Sequence, residues 1–264
     1  MAMLRIERDP RGTATLILDR PAERNALCAE LIAGLTDALA KLAAETGLRA
    51  VLLTGAGSAF CAGADIGEMR ASGSAAPEQN VAAARRFVAL LDRLAHMPQP
   101  TVALVNGAAF GGAIGLIAAC DIAIAGSAAR FSLSEVRLGL IPAMISPYVI
   151  RAIGARQAGR YMLSGEVMDA ATAARIGLVH EAVDDAALPD AAGKLVDALL
   201  AGGPRAQVEI KALLRRAAGR TDSADAELGG ELAHWIARIR GSEEGAEGLS
   251  AFLEKRRANW RDPD

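Results

Sequence analysis

Along the first half of the chain, hydrophobic positions switch between the period of a strand and the period of a helix. TATLILD (13–19), rich in β-branched and aliphatic residues and bounded by Pro10-Arg11-Gly12 and Pro21, predicts a strand. Leu31, Leu35, Leu39 and Leu42 then recur at helical spacing, and Gly47 stands where such a helix would end. AVLLT (50–54) and TVALV (101–105) are short unbroken apolar runs, the pattern of strands buried on both faces, and DIAIA (121–125) continues it. Between them, ASGSAAPEQN (71–80) predicts a surface loop. The spacing of Val81, Arg85, Val88 and Asp92, with Phe87, Leu91 and Leu94 on the apolar side, predicts a helix. A further helix is expected over about 111–119, after NGAAFGG. From about Pro142 the strands are expected to stop. GARQAGRYML, DAATAARIG, DAAGKLVDALL, PRAQVEIKALLRR and the last 40 residues carry helical spacing, with Asp190 and Pro204 as start signals and Gly202-Gly203 as a break. Pattern alone therefore draws a flat doubly wound α/β sheet followed by a helical tail for packing or assembly.

Composition narrows the class. The 264 residues are 52% hydrophobic but only 3% aromatic, and the net charge is −2. Such a chain buries a sizeable core, and its charge offers no general attraction for nucleic acid or lipid headgroups. Cys28, Cys61 and Cys120 lie far apart without CxxC spacing and read as core fillers. The opening MAMLRIERDP has four charged residues and no apolar leader segment. The longest stretch free of Asp, Glu, Lys and Arg, Leu94–Cys120, holds two prolines and four glycines and reads as turn, strand, loop and helix instead of a membrane span. The expected compartment is the cytoplasm.

Familiar chemistry motifs are missing. GAGSAF (55–60) lacks the glycine a dinucleotide fingerprint needs next, and neither GK[ST] nor GxSxG occurs. His96, His180 and His234 are too scattered for a metal site, so no metal is expected. What stands out is a repeat: two buried strands each run into a small-residue loop that opens a helix, LLTGAGSAFCAGADI (52–66) and ALVNGAAFGGAIG (103–115). Unpaired N–H groups at such helix starts suit negative charge, and glycine or alanine lets a ligand approach them. Two converging donors would make an oxyanion hole. Each loop alone reads first as a mark of tight helix–sheet packing, ahead of a ligand site.

These loops carry a resemblance. RPAERNAL (20–27), FCAGADI (60–66), VNGAAFGGAIGLIAACDIAIA (105–125), ARFSLSEVRLGLIP (129–142), GLVHEAV (177–183) and AFLEKRRANW (251–260) resemble, in order, the crotonase (enoyl-CoA hydratase/isomerase) family. The resemblance implies a spiral of ββα turns over about 1–195, containing the active site. It implies a helical region over about 196–264 that packs trimers, often paired into hexamers, and closes the CoA site. It puts one oxyanion donor at the N–H of Ala64 and the other at the N–H of Gly112. Arg24, Ala62, Asp65 and Ile66 would line the CoA channel, and Phe252 and Lys255 would close over its nucleotide end. CoA is then part of the substrate, and no separate cofactor is implied. Arg256 and Arg257 read as a solvated helix face.

Hydratases of this family hold water between two glutamates. The second matches Glu135, whereas the first falls on Gly115. A lone Glu135 fits an isomerase that shuttles a proton between C2 and C4. It also fits a hydratase that holds water by other means. The segment LSEVRLGLIPAMISPYVIRAIG is similar to bacterial 3-methylglutaconyl-CoA hydratases and related enzymes of terpenoid degradation. That favours hydration of a branched or carboxylated enoyl-CoA, although the sequence singles out no cation to read a distal carboxylate. An RNA-binding role, known within that group through a lysine-rich stretch, is not supported: ADIGEMRASG (64–73) has one arginine against Asp65 and Glu68. PRAQVEIKALLRRAAGR (204–220) is basic, and Val208, Ala212 and Leu213 predict a packed helix with its charges outward.

Overall fold

In the computed structural model the described residues are 3–217, 230, 233–234, 237–238 and 240–256. The chain opens with an antiparallel pair, β1 (Leu4–Asp9) and β2 (Thr13–Leu18), and then forms α1 (Ala29–Ala43). β3 (Ala50–Gly55) lies parallel to β2 and is followed at once by a three-residue strand, β4 (Ala59–Cys61), and by α2 (Ile66–Gly73). After α3 (Pro77–Ala95) the unit repeats as β5 (Thr101–Val105), β6 (Ala108–Phe110) and α4 (Gly112–Ala119). It begins a third time with β7 (Ile122–Gly126) and β8 (Arg130–Ser132), but a 3-10 turn over Ser134–Leu138 stands where the helix would be. The chain continues through α5 (Ser146–Ser164), β9 (Met168–Asp169), α6 (Ala170–Arg175), β10 (Glu181–Val183), α7 (Leu188–Ala201), α8 (Pro204–Ala217) and α9 (Glu243–Leu253).

Two sheets result. One has the order β1-β2-β3-β5-β7-β10, and the other β4-β6-β8-β9. β3, β5 and β7 each turn from the first sheet into a short strand of the second, so the chain winds as a ββα spiral and not as one flat sheet. Buried aliphatics explain the larger layer. Leu16, Leu18, Val51, Leu53, Ala103 and Val105 are almost fully enclosed, beneath Leu31, Leu35, Leu39 and Leu42 of α1. Two asparagines fix the crossings. Asn25 is wholly buried and donates from Nδ2 to the carbonyls of Ala56 and Ala59 at 2.9 and 2.8 Å. Asn106 Nδ2 donates to the carbonyls of Gly55 and Gly57.

Several expectations from pattern need correction. Residues 71–80 do not form one loop, because α2 continues to Gly73 and α3 begins at Pro77. α2 buries no residue, so it has no apolar stripe to read. It is held by Asp65, whose side chain caps it by accepting from the N–H groups of Gly67 and Glu68. Strands also do not stop at Pro142, since β9 and β10 complete the sheet edges. The helix α7 runs across position 195 and buries Val196 against Leu52 and Val102 of the main sheet.

The outward-charged reading of 204–220 is reversed over α8. Lys211 turns inward, with Nζ 2.5 Å from Asp121 Oδ2 and 3.0 Å from the Gln99 carbonyl. Ile210, Leu213 and Leu214 are exposed. Arg257 and the remainder of AFLEKRRANW, like much of the last 40 residues, lie outside the described residues.

Candidate active site

The site forms where the first two ββα units meet. Leu27 makes an isolated parallel bridge to Ala64: its N–H donates to the Gly63 carbonyl at 2.8 Å, and its carbonyl accepts from Asp65 N–H at 3.0 Å. In a parallel ladder the bridged residue's own N–H turns away from that partner. The Ala64 N–H is therefore directed off Leu27, and it has no acceptor among the described residues. Gly63 sits at φ +93°, and a Cβ there would lie 2.6 Å from the Phe110 carbonyl oxygen and 3.7 Å from the Gly112 nitrogen. Only glycine permits both that dihedral and that approach. The two loops thus meet backbone to backbone. Gly112 opens α4, and its N–H, one of the unpaired donors of a helix start, likewise lacks an acceptor among the described residues.

Glu135 comes from the 3-10 turn after β8, and its Oε1 would stand 3.3 Å from a Cβ on Gly111. Its Oε2 is sealed from solvent and has no hydrogen-bond partner. Burial pushes the carboxyl up from 4.5 to about 7, because the charged form loses hydration that a hydrogen bond from its own backbone only partly replaces. Ala62, Ala64, Asp65, Ile66, Gly112 and Glu135 all border one cavity of about 180 Å³, with walls from Met69, Phe87, Leu140 and Ile145. Asp65 and Glu68 also border it but are engaged elsewhere. Asp65 caps α2 and lies 3.5 Å from Arg20, and Glu68 accepts from the Ala29 N–H.

The cavity leaves out three of the residues expected from the sequence. Arg24 is exposed in a left-handed turn beside it, and its carbonyl accepts from Ala62 N–H. Phe252, on α9, and Lys255, just past its end, are exposed and are not among the lining residues. Gly115, where the resemblance would put a second carboxylate, is buried. A Cβ there would fall 2.2 Å from Ile145 Cγ2 and 2.9 Å from Ile145 Cβ. The segment after Pro142 has filled that place with a branched aliphatic side chain, so no larger residue fits without displacing it.

The family model for enoyl-CoA hydratase/isomerase matches residues 8–263. The chain belongs to the enoyl-CoA hydratase/isomerase family. An enoyl-CoA hydratase from Shewanella pealeana superposes with a TM-score of 0.80 at 43% identity, covering 98% of this chain and 96% of that one. The 2,3-dehydroadipyl-CoA hydratase of Escherichia coli is 33% identical and covers 99% of both chains. The 1,2-epoxyphenylacetyl-CoA isomerase of the same organism is 33% identical over 93% of this chain and 94% of its own. The mixed α/β spiral is thus the crotonase fold, and the substrates of this enoyl-CoA hydratase/isomerase family member are acyl-CoA thioesters. Among the described residues there is no metal-binding cluster and no helix long and apolar enough to cross a membrane.

One residue of this family member's cavity escaped the sequence reading: Arg240, nine-tenths buried in its wall. It lies in an unremarkable run, ARIRG, and no motif signals it.

The raised pKa of Glu135 fixes a sign. Between about 4.5 and 7 the folded state binds more protons than the unfolded chain, so stability falls as pH rises through that window. Above it the ionised carboxyl costs about 3 kcal/mol at most. Glu135→Gln, neutral throughout, should melt above the wild type at pH 8 and lose that advantage near pH 4.5. Calorimetric melting across this range checks it, and a difference independent of pH would refute the assignment.

Proposed function

We propose that this protein is an enoyl-CoA hydratase that adds water across the C2–C3 double bond of a branched or carboxylated enoyl thioester. The observation that carries the reading is a single dry carboxyl, Glu135, bordering the same cavity as the unpaired amides of Ala64 and Gly112. In this reading the two N–H groups hold the thioester oxygen as negative charge develops on it. Each such donor is worth roughly 2.7–4 kcal/mol of barrier. Glu135 takes a proton from the attacking water as its oxygen bonds to C3, then returns a proton to C2. A group with a pKa near 7 is suited to both halves of that exchange. Arg24, Ala62, Asp65 and Ile66 would flank the CoA moiety at the cavity mouth. A carboxylated acyl group is in keeping with the dehydroadipyl substrate named for one relative.

Ile145 favours one second reading. Because it occupies the place of a second carboxylate, Glu135 works alone, which is sufficient for an isomerase moving a proton between C2 and C4. A panel of branched, linear and carboxylated enoyl thioesters, with products resolved by NMR, separates the two. Hydration that falls about 10²–10⁴-fold in Glu135→Gln is the expected result. Migration without hydration would replace the first reading with the second, and no turnover of any thioester would overturn both.

We further propose a homotrimer or a dimer of trimers. Leu213 and Leu214 on α8, and Phe252 and Leu253 on α9, are exposed on the single chain and would be covered in such an assembly. There Phe252 and Lys255 would close over the nucleotide end of CoA. Sedimentation at micromolar protein should show three or six chains, and a monomer would contradict this.

A further inference from the structure

Arg240 is an unbalanced charge in the wall of the acyl cavity. Only 7% of it is exposed. Its Nη1 donates to Asn80 Oδ1 at 3.1 Å, and Asn80, itself buried, is anchored by donating from Nδ2 to the Ala237 carbonyl at 2.6 Å. Its Nε is sealed from water and has no partner. Among the described residues no carboxylate pairs with it, and of the three carboxylates that border the cavity none is its partner. Burial lowers its pKa, with no opposing attraction.

A guanidinium in this state is costly unless an anion completes it. Its planar fork of N–H donors is the geometry that accepts a carboxylate through two parallel hydrogen bonds. Ser72, Ala83 and Ala84, all small side chains, border the same cavity as Arg240.

We propose that Arg240 receives a second, distal carboxylate on the acyl group, so that the substrate is the CoA thioester of an unsaturated dicarboxylic acid. This rests on the same site's reading as an acyl-CoA enzyme and narrows its substrate class. The bond is a recognition contact: it fixes the far end of the acyl chain while Glu135 acts at C2 and C3. An anionic phosphate of CoA has the same chemistry and is the other source to distinguish.

The test uses the full chain and matched thioesters of equal length ending in a carboxylate or in a neutral amide. Wild-type kcat/KM should favour the carboxylate. Arg240→Gln should lower kcat/KM for the carboxylate about 100-fold while changing the amide less than about threefold, as expected for removing one partner of a buried charged pair. Arg240→Lys, which keeps the charge but not the fork, should lose an intermediate amount. Equal losses on both thioesters would assign the contact to a CoA phosphate and overturn the proposal. No loss on either would mean that the protein itself balances Arg240, with the same consequence. Should Arg240→Gln fail to fold, the wild-type preference decides: equal or better use of the amide overturns the proposal. Calorimetric binding of the saturated, unreactive dicarboxylic acyl-CoA against its amide gives the same ratio without turnover. A failure of the hydratase reading therefore leaves this result legible.

Discussion

The carboxyl of Glu135 is held against Gly111 with one oxygen out of reach of water and of any donor, and the site's chemistry follows from that position. A carboxylate in water gives up its proton some two and a half units below neutrality. Here the lost hydration raises the group to about 7, where it can both take and return a proton. The same burial destabilises the fold whenever the group is ionised, a cost that would serve the proposed reaction. Walls of Met69, Phe87, Leu140 and Ile145 keep the carboxyl dry.

Keeping the unpaired amides beside that carboxyl demands a rigid frame. Asn25 and Asn106 tie the turns after β3 and β5 to their neighbours through side-chain amides. The contact between Gly63 and Phe110 then brings the first loop onto the second. Ile145 adds a further constraint. By occupying the space above Gly115 it leaves Glu135 as the one carboxylate facing the cavity without a structural engagement among the described residues. In the proposed reaction, proton movement then passes through that single group.

The elements legible in the sequence were those whose burial is periodic or continuous. β3, β5 and β7 are enclosed on both faces and read as apolar runs, and α1 shows its four leucines on one stripe. The strands β4, β6 and β8 are three residues each, too short for any period, so a flat sheet was drawn where the chain changes sheets. The start of α2 after 52–66 was legible, but its run to Gly73 was not, because a capping carboxylate holds it in place of a buried face. α8 was read inside out, because the aliphatic part of Lys211 and its pairing with Asp121 make a cation the inward residue. At the site, Glu135 as a side chain and Ala64 and Gly112 as backbone donors came from a resemblance, and the fold brings all three to one cavity. Arg240 reaches that cavity from far along the chain, a juxtaposition that no local pattern encodes.

In the proposed reaction Glu135 is the group that exchanges a proton with C2. Hydration run in D₂O, with the product's deuterium located by NMR, tests it most directly. The wild type should place one deuterium at C2 in each product molecule, and Glu135→Gln should do so at least about 100-fold more slowly. Deuterium entering C2 at the wild-type rate in Glu135→Gln would rule out that role for Glu135.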